Sequence, residues 1–258
     1  MVRVRFAPSP TGALHIGGVR TALFAYLVAK KNNGAFFLRI EDTDRARFVE
    51  GSTEDIIETL NWLGLKFDGE PIFQSQRLDT YREHSKKLID SGKAYEKDGA
   101  VWFRVKIEGK TSITDLVGNR KIEFDNSTQK DFVILKSDGY PTYHLAHVVD
   151  DHFMEINPVI RAAEWISSIP KHVMLFEAFG WKVPQYAHLP IILGPDRSKL
   201  SKRHGAKPAS GFRKDGYLKE ALLNYIALLG WRFAGQLEDV ERTPHVFPER
   251  EIMSLDFM

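Results

Sequence analysis

Arg5-Phe6-Ala7-Pro8-Ser9-Pro10-Thr11-Gly12-Ala13-Leu14-His15-Ile16-Gly17-Gly18 joins a short apolar strand to the start of a helix through a proline–glycine turn. Before the turn, Val2, Val4 and Phe6 alternate with Arg3 and Arg5, the period-two pattern of a strand with one face buried. Pro8 and Pro10 remove two amide donors and fix φ, so the chain must leave the sheet, and Gly12 permits a conformation closed to other residues. From Ile16 to Lys31 apolar residues such as Leu23 and Leu27 recur at threes and fours, which predicts a helix. Gly17 and Gly18 each cost a helix about 1 kcal/mol against alanine, so their place in the first turn predicts a close approach to the backbone. A phosphate is the expected visitor. The first amides of the helix and the positive end of its dipole face that position, and His15 adds an imidazole donor.

Working outward, Ala35-Phe36-Phe37-Leu38-Arg39-Ile40 reads as a buried parallel strand bounded by Asn32-Asn33-Gly34. It ends in Glu41-Asp42-Thr43-Asp44-Arg45, which places carboxylates at the carboxyl edge of the sheet, where open α/β folds bind ligands. A helix is predicted from Ser52 through Leu63 to a stop at Gly64, with Ser52-Thr53-Glu54-Asp55 resembling a capping arrangement. Strand, helix, strand, helix opens a Rossmann-like half. A further helix covers Leu78 to Ser91, with Gly92 as its stop, and the chain then turns β-rich. Val101-Trp102-Phe103-Arg104-Val105, Lys121-Ile122-Glu123-Phe124 and Phe132-Val133-Ile134-Leu135 read as strands of an inserted subdomain. Alternation resumes with an apolar run from Tyr143 to Val149, Pro158-Val159-Ile160-Arg161, a helix over 168–179 and a buried strand over 188–193. Beyond lie a basic loop, Ser198-Lys199-Leu200-Ser201-Lys202-Arg203-His204-Gly205, and a helix over 217–229. Three fixed cations and two hydroxyls within Ser198 to Arg203, beside Pro195 and Gly205, suit a loop that closes on a polyphosphate.

With 258 residues, 43% hydrophobic and 27% charged, the chain can bury a proper core in one or two domains. The absence of cysteine excludes disulfides and thiolate metal sites and fits a reducing compartment. No apolar run approaches the roughly 20 residues that span a bilayer, and Met1-Val2-Arg3-Val4-Arg5 opens on a strand instead of a signal peptide, so a cytoplasmic location is expected. The net charge of +2 permits a polyanionic partner without requiring one, so any basic surface is local.

Arg5-Phe6-Ala7-Pro8-Ser9-Pro10-Thr11-Gly12, His15-Ile16-Gly17-Gly18, Ile40-Glu41-Asp42-Thr43-Asp44-Arg45, Val148-Val149-Asp150-Asp151-His152 and Lys199-Leu200-Ser201-Lys202-Arg203 stand in the order seen in bacterial-type glutamyl-tRNA synthetases. The resemblance extends over almost the whole chain, and the two signature motifs are those of class I aminoacyl-tRNA synthetases in their glutamyl form. It implies an α/β architecture: a Rossmann-like parallel sheet, split by a small β-rich insertion, with a helical C-terminal extension. The expected division is 1–92 and 139–211 for the two catalytic halves, 93–138 for a shortened insertion that binds the acceptor end, and 212–258 for the start of a helical stem-contact region.

The reaction implied is activation of L-glutamate by ATP with Mg2+, followed by transfer to the 3′-terminal ribose of tRNA. By resemblance His15, Lys199 and Lys202 are catalytic, and Thr11, His15, Gly17, Gly18, Lys199, Ser201 and Lys202 hold ATP. Arg5, Ala7, Ser9, Glu41, Tyr143 and Arg161 match glutamate-binding positions, and Asp44 faces the tRNA end. The chemistry agrees: arginines pair bidentately with carboxylates, and Glu41 suits the substrate ammonium. A monomer is expected, and no zinc, although some members carry it in the insertion. His147 and Ala163 stand where the family more often has asparagine and glutamate, and the chain stops at Ser254-Leu255-Asp256-Phe257-Met258, where typical members continue into stem-contacting and anticodon-binding domains. Two alternatives stay open. One is the shortened relative that attaches glutamate to queuosine in an aspartate tRNA; the other is a non-catalytic module of the same fold that binds RNA or a partner.

Overall fold

The computed structural model describes residues 1–194 and 207–230. Its first half is a run of parallel strands and helices. Strand β1 (Arg3–Phe6) leads through the proline turn into helix α1 (Ile16–Lys31), and β2 (Ala35–Ile40) pairs parallel with β1, Val4 opposite Phe36. Helix α2 (Ser52–Leu63) follows and ends at Gly64 with φ 76°. The two-residue strand β3 (Ile72–Phe73) then adds to β2, giving the order β1-β2-β3. Helix α1 packs Val19, Ala22, Leu23 and Leu27 onto Phe6, Phe36 and Leu38, and α2 closes that core with Ile56, Leu60 and Leu63. At about 25 cal/mol per Å² of apolar surface removed from water, this stripe stabilises the layer more than any single polar contact does.

Helix α3 (Leu78–Asp90) leads into the β-rich stretch, which divides between two sheets. Strands β4 (Ala94–Lys97), β5 (Ala100–Phe103) and β8 (Phe132–Leu135) form an antiparallel sheet, with β4 and β5 joined by the tight Asp98-Gly99 turn. Strands β6 (Lys110–Asp115) and β7 (Arg120–Asp125) form a hairpin that joins the second parallel sheet, Asp115 pairing with Tyr186. That sheet has the order β7-β6-β10-β9, from β9 (Val159–Ala162) and β10 (Tyr186–Leu189). The β-rich stretch thus extends the sheet of β9 and β10 as well as adding a layer of its own. The two parallel sheets meet where β1 lies beside β9, and the Arg5 guanidinium donates to the carbonyl of Ile160 at 3.2 Å.

Four α-helices complete the described chain. The apolar run after Pro141 is helix α4 (Tyr143–Phe153), which packs with α5 (Ile169–Ala178) on Phe103, Phe132 and Ile134. Helices α6 (Ala209–Lys214) and α7 (Lys219–Leu228) return to the first half, where Leu222 and Ile226 join its core. The strand expected over 188–193 instead spans Tyr186–Leu189, because Ile191 and Leu193 are 40% and 56% exposed and bury no face. Strands β3, β4 and β6 were not predicted. The first has two residues, and Lys110-Thr111-Ser112-Ile113-Thr114-Asp115 is too polar to stand out as a strand.

Candidate active site

The carboxyl ends of β1, β2 and β9 converge with one face of α4, from Tyr143 to Asp151. Arg5 is 3% exposed and spends its fork on three partners: Asp151 Oδ1 accepts from Nε at 2.9 Å, Ile160 O from Nη1 and His147 Nδ1 from Nη2 at 3.3 Å. Arg39 is fully buried in the otherwise apolar β2. It donates to Asp151 Oδ1 at 2.6 Å and to Glu41 Oε1 at 3.2 Å, with Asp150 Oδ2 3.9 Å from its Nε. Asp150 also accepts from Gln74 Nε2, Arg77 Nε and the Tyr81 hydroxyl at 2.7–2.8 Å. Arg5, Arg39 and Arg77 are thereby balanced by Glu41, Asp150 and Asp151. A buried network of this kind holds only because each charge has partners of the opposite sign.

The network shifts its members. Burial is the largest influence on Asp151 and pushes it up, yet Arg5 and Arg39 outweigh it and hold the carboxyl well below the usual range. Glu41 goes the other way: burial raises it despite Arg39 and Arg5. Its amide donates to Pro8 O at 2.9 Å, which ties the end of β2 to the proline turn.

Arg161, at the end of β9 and 5% exposed, differs from the other two arginines. Its Nε donates to His188 Nε2 at 3.1 Å, Nη1 lies 3.0 Å from His172 Nδ1 and Nη2 donates to Trp165 O at 3.3 Å. Among the described residues no carboxylate pairs with it. A buried guanidinium balanced only by neutral acceptors is a costly arrangement unless an anion completes it. Tyr143 sits between the two arginine positions, its ring 4.1 Å from Trp165 and stacked on His147 at 14°, and its hydroxyl is raised by burial and influenced by Arg161, Glu41 and Arg5. His147 is fully buried and its Nε2 has no hydrogen-bond partner among the described residues.

Four histidines line this wall. Burial lowers His147 to about 3 and His144 and His188 to about 4, and His172 falls well below the ordinary value for the same reason. Above about pH 6.5 neither the folded nor the unfolded chain protonates them. As the pH falls through that value the unfolded chain takes up protons that the folded chain refuses, so stability is lost progressively to below pH 4. Glu41, raised, opposes this as one group against four. Melting temperature is therefore expected to fall from pH 7 to pH 4.5, with net proton uptake on unfolding when calorimetry is repeated in buffers of different ionisation heat. Unfolding at pH 5.5 without proton uptake would contradict these assignments.

The start of α1 explains its glycines in part. A Cβ at Gly18 would lie 2.6 Å from Leu14 Cδ1, and one at Gly17 would lie 3.0 Å from His15 Nδ1 and Cε1. The close approach predicted for them is therefore made at least by the chain's own Leu14 and His15. His15 caps the helix, Nδ1 accepting from Gly18 N at 3.2 Å, which places the proton of the neutral ring on Nε2.

Of the expected glutamate contacts, Arg5, Glu41, Tyr143 and Arg161 come together in this network. Ala7 and Ser9 lie on the adjoining turn, Ser9 exposed, and the Thr11 amide donates to Ser9 O at 2.9 Å. Asp44 pairs with Arg47 at 2.6 Å beyond β2. Lys199, Ser201 and Lys202 lie outside the described residues. Arg39, Asp115, His172 and His188 escaped the sequence reading, and only an arginine within the apolar run 35–40 could have signalled the first. Among the described residues no cluster of His, Asp and Glu could hold a metal ion, and no helix is long and apolar enough to cross a membrane.

Comparison with known proteins places this geometry. The family model of the class I tRNA synthetases (E and Q), catalytic domain, matches residues 1–101 and 96–245. A glutamate–tRNA ligase of Dehalococcoides mccartyi strain 195 is 48% identical over 281 residues, covering 92% of this chain and 58% of the relative. A namesake from Borrelia duttonii is 44% identical, with 92% and 57% covered. The crystal structure of a glutamate tRNA ligase from Elizabethkingia meningosepticum in complex with its amino acid superposes with a TM-score of 0.86 at 34% identity, over 99% of this chain and 65% of that one. The chain thus spans a little under three-fifths of the length of these curated relatives. The Dehalococcoides alignment is longer than the chain's own 258 residues, so that relative carries residues within the matched stretch that are missing here. The two family matches meet at 96–101, the turn between β4 and β5. With its sheet, its His15 cap and its arginine network in the matched region, the chain belongs to the class I tRNA synthetases of the glutamyl and glutaminyl type.

Proposed function

We propose that this chain activates L-glutamate with ATP and passes the glutamyl group to the 3′ end of a tRNA. Arg161 is the observation that carries the proposal: a buried guanidinium with neutral partners only, at the carboxyl edge of a parallel sheet, calls for a small carboxylate. The names of the relatives, and the amino-acid complex of the Elizabethkingia protein, support glutamate as that carboxylate. Arg161 and Tyr143 then hold the substrate together with Arg5, Ala7 and Ser9, and Glu41 faces its ammonium group. His147 Nε2, buried and without a partner among the described residues, is a further polar contact for the same ligand.

An α-carboxylate oxygen forms a bond to the α-phosphorus of ATP, the bond to the β-phosphate breaks, and pyrophosphate leaves; Mg2+ arriving with ATP would offset the charge on its phosphates. A ribose hydroxyl of the tRNA then attacks the activated carbonyl, loses its proton and displaces AMP. Thr11, His15, Gly17 and Gly18 receive ATP at the start of α1, where amides and the helix dipole favour phosphate. Lys199, Ser201 and Lys202 contact the phosphates, and Asp44 meets the tRNA end. No covalent enzyme intermediate is involved, so the protein contributes position and charge stabilisation. A cytoplasmic monomer fits this role.

Incubation with ATP, glutamate and labelled pyrophosphate is expected to give exchange into ATP that depends on tRNA. Exchange without tRNA would favour the queuosine-modifying alternative, and no exchange in either case would favour the non-catalytic module.

A further inference from the structure

Arg161 is held by a chain of acceptors that starts in the inserted hairpin. Asp115 ends β6 and is fully buried; its Oδ2 lies 2.6 Å from His188 Nδ1, on β10. Its other oxygen, Oδ1, accepts from two backbone amides, Val117 at 2.8 Å and His188 at 3.3 Å. Across the ring, His188 Nε2 accepts from Arg161 Nε at 3.1 Å. An arginine can only donate, so Nε2 must present its lone pair and Nδ1 must carry the proton of the neutral imidazole. Asp115 is the acceptor that fixes this tautomer.

From this geometry we infer that Asp115 is a positioning residue for the substrate carboxylate: through His188 it orients Arg161 without neutralising it. A carboxylate set directly on Arg161 would form a bidentate pair and compete with the ligand. One imidazole further away, the acidic group steers the guanidinium and leaves its charge for the substrate. The hairpin β6–β7, which the sheet recruits from the insertion, thereby acts on the amino-acid site. This inference rests on Arg161 being the carboxylate receptor.

Asp115→Asn tests it with almost no change of shape. The two backbone amides draw the Asn oxygen to the Oδ1 position, so the NH2 group faces His188 Nδ1 and pushes the ring proton to Nε2, opposite the Arg161 Nε–H. An enforced wrong tautomer disables the partner group although the shape survives. Calorimetric titration of the whole chain with L-glutamate is expected to show affinity lowered about 10- to 100-fold in Asp115→Asn, the range for losing a hydrogen bond to a charged group. Binding of ATP should change by less than about 3-fold, and His188 15N shifts should report protonated Nδ1 in the wild type and protonated Nε2 in the variant. Wild-type glutamate affinity in Asp115→Asn, with binding abolished in Arg161→Ala, would overturn the positioning role alone. Unchanged affinity in Arg161→Ala would overturn the reading of the site itself. Should Asp115→Asn fail to fold, the wild-type spectrum decides: a protonated Nε2 on His188 sinks the inference, and a protonated Nδ1 upholds it.

Discussion

Arg161→Ala is expected to lower kcat/KM for glutamate in pyrophosphate exchange by about 10²- to 10³-fold while the KM for ATP stays within about 3-fold. Truncating one partner of a buried, hydrogen-bonded charge pair costs about 2–5 kcal/mol, and each 1.4 kcal/mol is a factor of ten. The selectivity of the loss is the informative part. Arg161 touches His172, His188 and Trp165 O, none of which belongs to the start of α1, so the nucleotide should be little affected. The substitution also removes an uncompensated buried cation, so the melting temperature should hold or rise. Parallel losses for glutamate and ATP, or a sharp fall in melting temperature, would mean that Arg161 supports the fold.

Arg39→Leu is expected to have the opposite profile. Arg39 is shared by Asp151, Glu41 and Asp150, and its removal leaves buried carboxylates with too few cations. Breaking a buried pair from one side costs about 3–5 kcal/mol. At roughly 2–4 °C per kcal/mol for a chain of this size, the melting temperature should drop by about 6–20 °C. Surface pairs such as Lys86–Asp90 supply the control: Lys86→Ala there should cost about 0–1 kcal/mol. An Arg39→Leu variant as stable as the wild type would show that the three carboxylates are neutralised by protonation instead of by arginine.

The difference between Arg39 and Arg161 explains what the sequence discloses and what it hides. Periodicity exposes elements that bury one face, and β1, α1, β2, α2 and α3 were legible because their apolar residues recur with the right period. It is silent on β6, whose polar residues gain their place from pairing with β7 and, 71 positions later, from Tyr186 on β10. Motif spacing brought Arg5, Glu41, Tyr143 and Arg161 forward as a group, but not the division of labour among them. That division depends on which arginine meets a carboxylate across the fold, and Asp151 is 146 residues from Arg5. Asp115 and His188 are similarly remote, 73 residues apart, and neither belongs to a motif. Gly17 and Gly18 were legible as a need for space, though not as space filled in part by Leu14 and His15.

The turn at Asp98-Gly99 bears on the proposed RNA partner. The Dehalococcoides relative carries residues in the matched stretch that this chain lacks, and the family match divides at 96–101, where β4 and β5 are joined by two residues. The destination of the glutamyl group is therefore the step on which the proposed function depends most. It is read by incubating the chain with ATP, labelled glutamate and unfractionated tRNA, digesting the RNA and identifying the nucleoside that carries the label. Label on the 3′-terminal adenosine is the predicted result. Label on an internal nucleoside, or RNA left unlabelled while glutamate is activated, would contradict it.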